Sequence, residues 1–238
     1  MRSRRAGLLL YCVGGASSAV PSGLRGVHGA QIQCIAHGGL VALVSLVSEL
    51  VREETPEAVE LVAYERVIRS QHAVADVVPM RFGSVLPDEA AVRAHLDEQR
   101  AAFLRSLARV AGCVEMGVRA LISVTHSSAA PESAVNPPAR SGVDYLKARQ
   151  RRYSAESQLR DHGTALEQSL LSKVAPLCRE HRVELAPLRV GVPTLCSVYF
   201  LVPREQVPAF RAALSPVTDG DSALTTLSGP WPPFNFVD

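Results

Sequence analysis

Seven histidines are spread along the chain, at His28, His37, His72, His95, His126, His162 and His181. His95 with Glu98 and His181 with Glu184 read as His–carboxylate pairs at three-residue spacing. A zinc site needs three or four convergent ligands at fixed spacing, and neither pair has a third donor nearby, so no metal site is expected. The five cysteines (Cys12, Cys34, Cys113, Cys178, Cys196) are odd in number, far apart and without a C-x-x-C pair. That pattern suits reduced thiols serving as small buried hydrophobes in the cytoplasm. There is no G-x-S-x-G, and no cysteine has neighbours that would activate it. Glu53, Glu54, Glu57 and Glu60 cluster where a helix begins, and the helix dipole accounts for them without a general acid. The glycine-rich residues 14–29 contain neither G-x-x-x-x-G-K-[ST] nor G-x-G-x-x-G, so no phosphate cradle is expected. No catalytic residue and no cofactor follow.

Binding offers more than catalysis. The 25 basic residues include only two lysines, Lys147 and Lys173, and the formal net charge is +2. Lys147, Arg149, Arg151, Arg152 and Arg160 form a basic face beside Tyr145 and Tyr153. A nucleic-acid stripe looks like this, and so does an ordinary exposed helix face. The low overall charge and 5% aromatic content disfavour nucleic acid. Two other segments are unusual. Residues 78–85 set Arg81 among apolar neighbours in an extended stretch. The C-terminus holds the only Trp, two of six Phe and three of sixteen Pro. A disordered tail seldom concentrates aromatics in this way, and prolines lower the entropy lost when such a tail docks. Packing on its own domain is the expected fate of this tail.

These segments must be carried by a fold, and 238 residues are enough for one large or two small domains with a sizeable core. No uncharged apolar run approaches the eighteen or so residues that span a bilayer, so no membrane contact is expected. Residues 1–19 imitate a secretory signal: a basic start, an apolar run and small residues. The competing reading makes residues 8–13 a first β-strand ended by Gly14 and Gly15. Ile32, Cys34 and Ala36 alternate with polar neighbours, and with the 37–39 turn and the apolar run 40–47 they read as a hairpin. Thr55, Pro56 and Glu57 open a helix that runs to about Asp76. Asp88 caps a second helix that skips one turn at Gln99/Arg100, and Gly112 is placed to end it. Residues 114–121 read as a strand closing the first half.

Residues 123–141 are rich in Ser, Ala and Pro, have no period, and read as a protease-sensitive linker. A long helix follows, with Leu146, Tyr153, Leu159, Leu166, Leu170, Val174 and Leu177 on its apolar stripe. Two strands (183–190, 195–202), a short helix (205–214) and a last strand (224–228) complete the chain. Pro208 fits that short helix only in its first turn. The expected class is α+β: two domains with antiparallel sheets covered by helices on one face, the C-terminal part ferredoxin-like. The expected partition is an N-terminal α+β domain (1–122), a linker (123–141), and a C-terminal domain (142–238) of long helix, ferredoxin-like sheet and docked tail.

Pro79-Met80-Arg81-Phe82-Gly83 and the closing Gly229-Pro230-Trp231-Pro232-Pro233-Phe234-Asn235-Phe236-Val237-Asp238 resemble the F/L family of gas vesicle accessory proteins. Leu10-Tyr11-Cys12-Val13-Gly14, the 37–45 hairpin, Tyr145-Leu146 with its Arg-rich continuation, and residues 199–203 fall in the same order as in that family. The resemblance covers nearly the whole chain from about Leu8. It implies a two-domain α+β protein without catalysis or cofactor. Such a protein would assist gas vesicle assembly by binding the small hydrophobic shell protein or other gas vesicle accessory proteins, in the cytoplasm and at the vesicle. Its first strand then belongs to the fold and is not a cleaved leader. The positions it marks as structural or partner-binding are Pro79, Arg81, Phe82, Gly83, Tyr145, Gly229, Pro230, Trp231, Pro232, Pro233 and Phe236. Departures are the Arg-rich residues 1–5, Cys12 and Pro208. The alternative from another class is a ligand- or RNA-binding module on ferredoxin-like domains.

Overall fold

The computed structural model describes residues 6–16, 23–48, 56–122, 142–187, 193–218 and 225–237. The linker read at 123–141 lies outside them. The first sheet contains β1 (Gly7–Gly15), β2 (Ile32–His37), β3 (Leu40–Val47), and two short strands, β4 (Val77–Pro79) and β5 (Val85–Leu86). The strand order is β2-β3-β1-β4, with β5 also paired to β1, and the pairings are antiparallel. The apolar run near the N-terminus is thus the central strand of this sheet.

Helices cover both faces of the sheet, where one face was expected. On one side, Tyr64, Val67 and Ile68 of α1 (Ala58–His72) pack on Leu9, Tyr11, Cys12 and Leu43. On the other, Val92 and Leu96 of α2 (Glu89–Glu98) and Phe103 of α3 (Arg100–Val110) pack on Leu8, Leu10, Val13 and Val44. The physical reason is in the strands: β1 and the start of β3 are unbroken apolar runs with no polar face to leave in water. A register shift between Leu10 and Cys12 turns Tyr11 and Cys12 toward the same side. In the edge strand β2 the expected alternation fails. Ile35 is buried and Cys34 is exposed, because Ile32 and Ile35, three residues apart, serve opposite faces.

Local signals hold where a short-range contact decides. The Asp88 carboxylate accepts the Ala91 N–H at 2.8 Å, capping α2. The skipped turn is a real break at Gln99, between α2 and α3. Gly112 (φ +68°) follows α3 in the left-handed conformation that favours glycine. The start of α1 is corrected: it begins at Ala58, the Glu57 N–H donates to the Glu60 carboxylate at 3.0 Å, and the helix ends at His72 rather than near Asp76.

The second sheet has the order β7-β8-β6-β9, from β6 (Cys113–Ile122), β7 (Glu180–Leu185), β8 (Thr194–Pro203) and β9 (Thr225–Trp231). With α4 (Gly142–Val174) after β6 and α5 (Val207–Thr218) after β8, the sequence of elements is β-α-β-β-α-β. That is the ferredoxin-like arrangement. Pro208 lies in the first turn of α5, as its chemistry requires. Phe200 of β8 meets Phe210 of α5 edge-on at 5.3 Å, and both are fully buried.

The chain forms two compact units, and each draws on separated stretches. One comprises Met1–Glu115, Leu201–Arg204 and Gly229–Asp238; the other comprises Met116–Phe200 and Glu205–Ser228. The linear partition at 122 and 142 differs from this in two ways. Strand β6 lies between β8 and β9 in the second sheet instead of closing the first half. The tail groups with the N-terminal stretch, where its partners Glu115, α3 and the cluster on the α2/α3 face lie.

Candidate interaction surface

The motif around Arg81 is a turn between two strands that share one neighbour. The Met80 N–H donates to the Tyr11 carbonyl at 2.9 Å, and the Leu10 N–H donates to the Ser84 carbonyl at 2.8 Å. Between these points the chain leaves β1 and returns, closed by the Ser84 N–H and hydroxyl on the Arg81 carbonyl at 3.2 and 2.8 Å. Gly83 takes φ +86°, which a side chain at this position would resist. Pro79 is buried at the end of β4, Phe82 is half-buried, and Arg81 is exposed.

Beneath the turn lies an aromatic stack. Phe82 meets Tyr64 edge-on at 5.1 Å, and Tyr64 stacks on Tyr11 at 5.0 Å. The Tyr64 hydroxyl reaches the carbonyl oxygens of Leu10 and Met80, each at 2.9 Å, so it ties α1 to both β1 and the turn. Burial pushes its ionisation up, which keeps it a donor. The Tyr11 hydroxyl bonds Ser45 at 2.8 Å and accepts the Val27 N–H at 2.9 Å. The turn is therefore a fixed platform whose outward charge is Arg81.

The tail is held by a buried carboxylate. Glu115 is 4% exposed, and it accepts the Asn235 backbone N–H at 2.8 Å and the Asn235 side-chain amide at 2.7 Å. Such bonds offset the cost of burying its charge. Pro232, Pro233 and Phe236 are buried, and Val237 packs on the α2/α3 side of the first sheet. Trp231 is only half-buried and Phe234 is exposed, so the aromatic that anchors the tail is Phe236. The last strand, read at 224–228, runs on to Trp231 as β9, so Gly229, at φ +106°, and Pro230 lie within it.

The structure thus gathers the marked positions in two places. Phe82 belongs to the cluster under α1, whereas the tail lies on the opposite face of the sheet. Tyr145 is in α4. Among the described residues, no three His, Cys, Asp or Glu side chains are grouped to hold a metal. The histidines instead make pairs that sequence spacing does not show: His28 with Glu60, His37 with Asp97 and His181 with Glu167, each at 2.7 Å. Cys12, Cys113 and Cys196 are buried, while Cys34 is exposed.

A second missed cluster surrounds His72 at the end of α1. The Arg204 guanidinium donates to the His72 carbonyl at 2.7 Å, lies against the imidazole nitrogens at 3.1 and 3.2 Å, and stands 3.8 Å from Asp76. Asp76 accepts the Gly112 N–H, and the Arg204 N–H donates to the Gly112 carbonyl, each at 3.0 Å. Burial, then the adjacent Arg204 charge, lower the His72 pKa to about 4, so this imidazole is neutral near pH 7. No sequence pattern links residues 132 positions apart.

Comparison with known proteins agrees with this architecture. Residues 7–238 match the family model described as gas vesicle synthesis protein GvpL/GvpF. Gas vesicle protein F of Streptomyces sp. (strain CB03234) is 30% identical over 216 residues, covering 87% of this chain and 88% of the relative. Gas vesicle protein L of the same strain is 28% identical over 237 residues, covering 92% and 87%. The crystal structure of GvpF from Anabaena sp. PCC7120 superposes with a TM-score of 0.72 at 18% identity, covering 98% of this chain and 96% of that one. GvpF from Microcystis aeruginosa gives 0.72 at 16% identity, covering 97% and 98%. At these identities the structural likeness speaks for the fold.

Proposed function

The chain belongs to the GvpL/GvpF family of gas vesicle synthesis proteins, and from that membership we propose that it is a non-enzymatic accessory factor which binds the small hydrophobic shell protein, or other accessory proteins, during vesicle assembly. It works in the cytoplasm and at the growing vesicle. The observation that carries the residue-level reading is Arg81: an exposed cation on a turn that backbone bonds and an aromatic stack hold in place. A preorganised side chain loses little entropy on docking, and arginine is enriched among residues that dominate interfaces. The tail, by this reading, supports the fold, and partner contact is centred on residues 81–83.

The test is co-purification of the tagged full chain with the shell protein, beside its Arg81→Glu variant. Arg81 is exposed, so the variant should melt within a degree or two of the parent. Capture of the shell protein should fall about tenfold or more. Undiminished capture by a folded Arg81→Glu protein would refute the assignment of this surface.

A further inference from the structure

Helix α4 has 33 residues and is therefore about 50 Å long. Among its described residues, Ala155, Leu159, Gly163, Leu170 and Val174 are buried. Leu146 and Tyr153, the first two members of the apolar stripe read from the sequence, are instead 62% and 55% exposed, and Val143 one turn earlier is 59% exposed. Val143, Leu146, Gln150 and Tyr153 follow steps of three, four and three, the spacing of a seam between paired helices.

Charge flanks this seam. Arg149, Arg152 and Arg160 are exposed along it. The Arg149 guanidinium lies 5.5 Å from the centre of the Tyr153 ring and donates to its hydroxyl at 3.2 Å, giving an ordered Tyr–Arg pair of the kind enriched at interfaces. Glu156 is occupied by the Arg152 guanidinium at 3.0 Å. Beside these rows is a hollow lined by Arg152, Glu156, Leu159, Arg160, Leu185 and Pro187, with a volume of about 340 Å³. Its apolar members are Leu159 of α4, Leu185 at the end of β7 and Pro187 just after it, and Arg152, Glu156 and Arg160 line it with them.

We propose that the first half of α4 is a docking face for an amphipathic helix of a protein partner, one whose apolar stripe is flanked by acidic residues. The seam supplies the apolar contact, and the hollow receives one bulky apolar side chain. Arg149, Arg152 and Arg160 select acidic flanks and reject basic ones. A second copy of this chain is the wrong occupant, because pairing α4 with itself sets arginine against arginine. This face is independent of the Arg81 turn and of what that turn binds.

The experiment uses the full chain and two synthetic helices about three heptads long, with identical apolar positions and either Glu or Lys flanks. Binding is read by fluorescence anisotropy. The Glu helix should bind more tightly than the Lys helix, with a preference that shrinks as salt rises. Leu146→Asp and Tyr153→Asp should each weaken it about tenfold or more, and the double change Arg149→Glu with Arg152→Glu should reverse the preference. If either aspartate variant fails to fold by circular dichroism, Leu146→Ala reads the same loss. Equal binding of both helices, or binding of neither, overturns the proposal. So does self-association in sedimentation that Leu146→Asp abolishes, or RNA binding lost in the arginine double variant while no helix binds. Shell-protein capture measured in parallel separates the two claims. Capture lost only in Arg81→Glu, with helix binding intact, leaves this face standing whatever becomes of the turn.

Discussion

His72 shows how a residue without catalytic work shapes behaviour. Its ordinary pKa near 6.5 falls to about 4 in the folded protein, so the unfolded chain binds the proton more readily. The stability gained from a neutral, buried imidazole is therefore complete above about pH 6.5. It is lost progressively as the pH falls from there toward 4, and below 4 this residue adds nothing further. Replacing it by His72→Gln should flatten the fall in melting temperature between pH 6.5 and 4.5 relative to the parent. Differential scanning fluorimetry across that range is the measurement, and parallel curves for the two proteins would remove His72 from the account. Nothing in the sequence marks this residue. Arg204, which bonds it, and Asp76 and Gly112, which hold Arg204, come from three connections, and only the fold assembles them. Tyr64 is similar. In sequence it widens an apolar helix face, while in the structure its hydroxyl ties α1 to two backbone carbonyls. Asp88, Gly112 and Pro208 were legible because each acts on backbone within a few residues of itself.

At the scale of elements, the tail was recognisable as a docked segment, but its anchor was not. Composition draws the eye to Trp231, the largest side chain, yet burial assigns the main role to Phe236. Fully burying a phenylalanine and then truncating it costs about 3–5 kcal/mol, a large share of the roughly 5–15 kcal/mol that holds a domain together. Phe236→Ala should therefore lower the melting temperature by several degrees or more. Trp231→Ala should cost less, and exposed Phe234→Ala should leave the melt nearly unchanged. The ranking is read from three thermal melts. A Trp231→Ala protein less stable than Phe236→Ala would contradict the burial seen here. Helix α4 teaches the complementary lesson. Its apolar stripe was visible by period, but period does not say whether a stripe meets the protein's own core. Leu159, Leu170 and Val174 do, whereas Leu146 and Tyr153 do not.

At the scale of the whole molecule, one design occurs twice. The orders β2-β3-β1-β4 and β7-β8-β6-β9 are the same arrangement, with α1 and α5 in corresponding places before the last strand. Where the second sheet has α4 between its first two strands, the first has a connection carrying the Val27–Gly29 turn. No repeat is visible in the residues, because sheet order is set by which faces are buried and not by which apolar side chain fills them. The same topology explains why a linear cut could not find the units. A strand that precedes residues 123–141 sits between two that follow them, hydrogen-bonded on both edges. Introducing a specific protease site within 123–141 and cleaving there should therefore give two polypeptides that stay together. They should elute as one species in native size exclusion and separate only in denaturant, since parting them exposes both edges of β6 and its buried Met116, Val118 and Ala120. Residues 1–122 made alone should melt well below the parent, lacking the Arg204 bonds to His72 and Gly112 and the packing of Phe236. Cleaved halves that drift apart in native buffer would show that the second sheet does not hold the chain together across this segment.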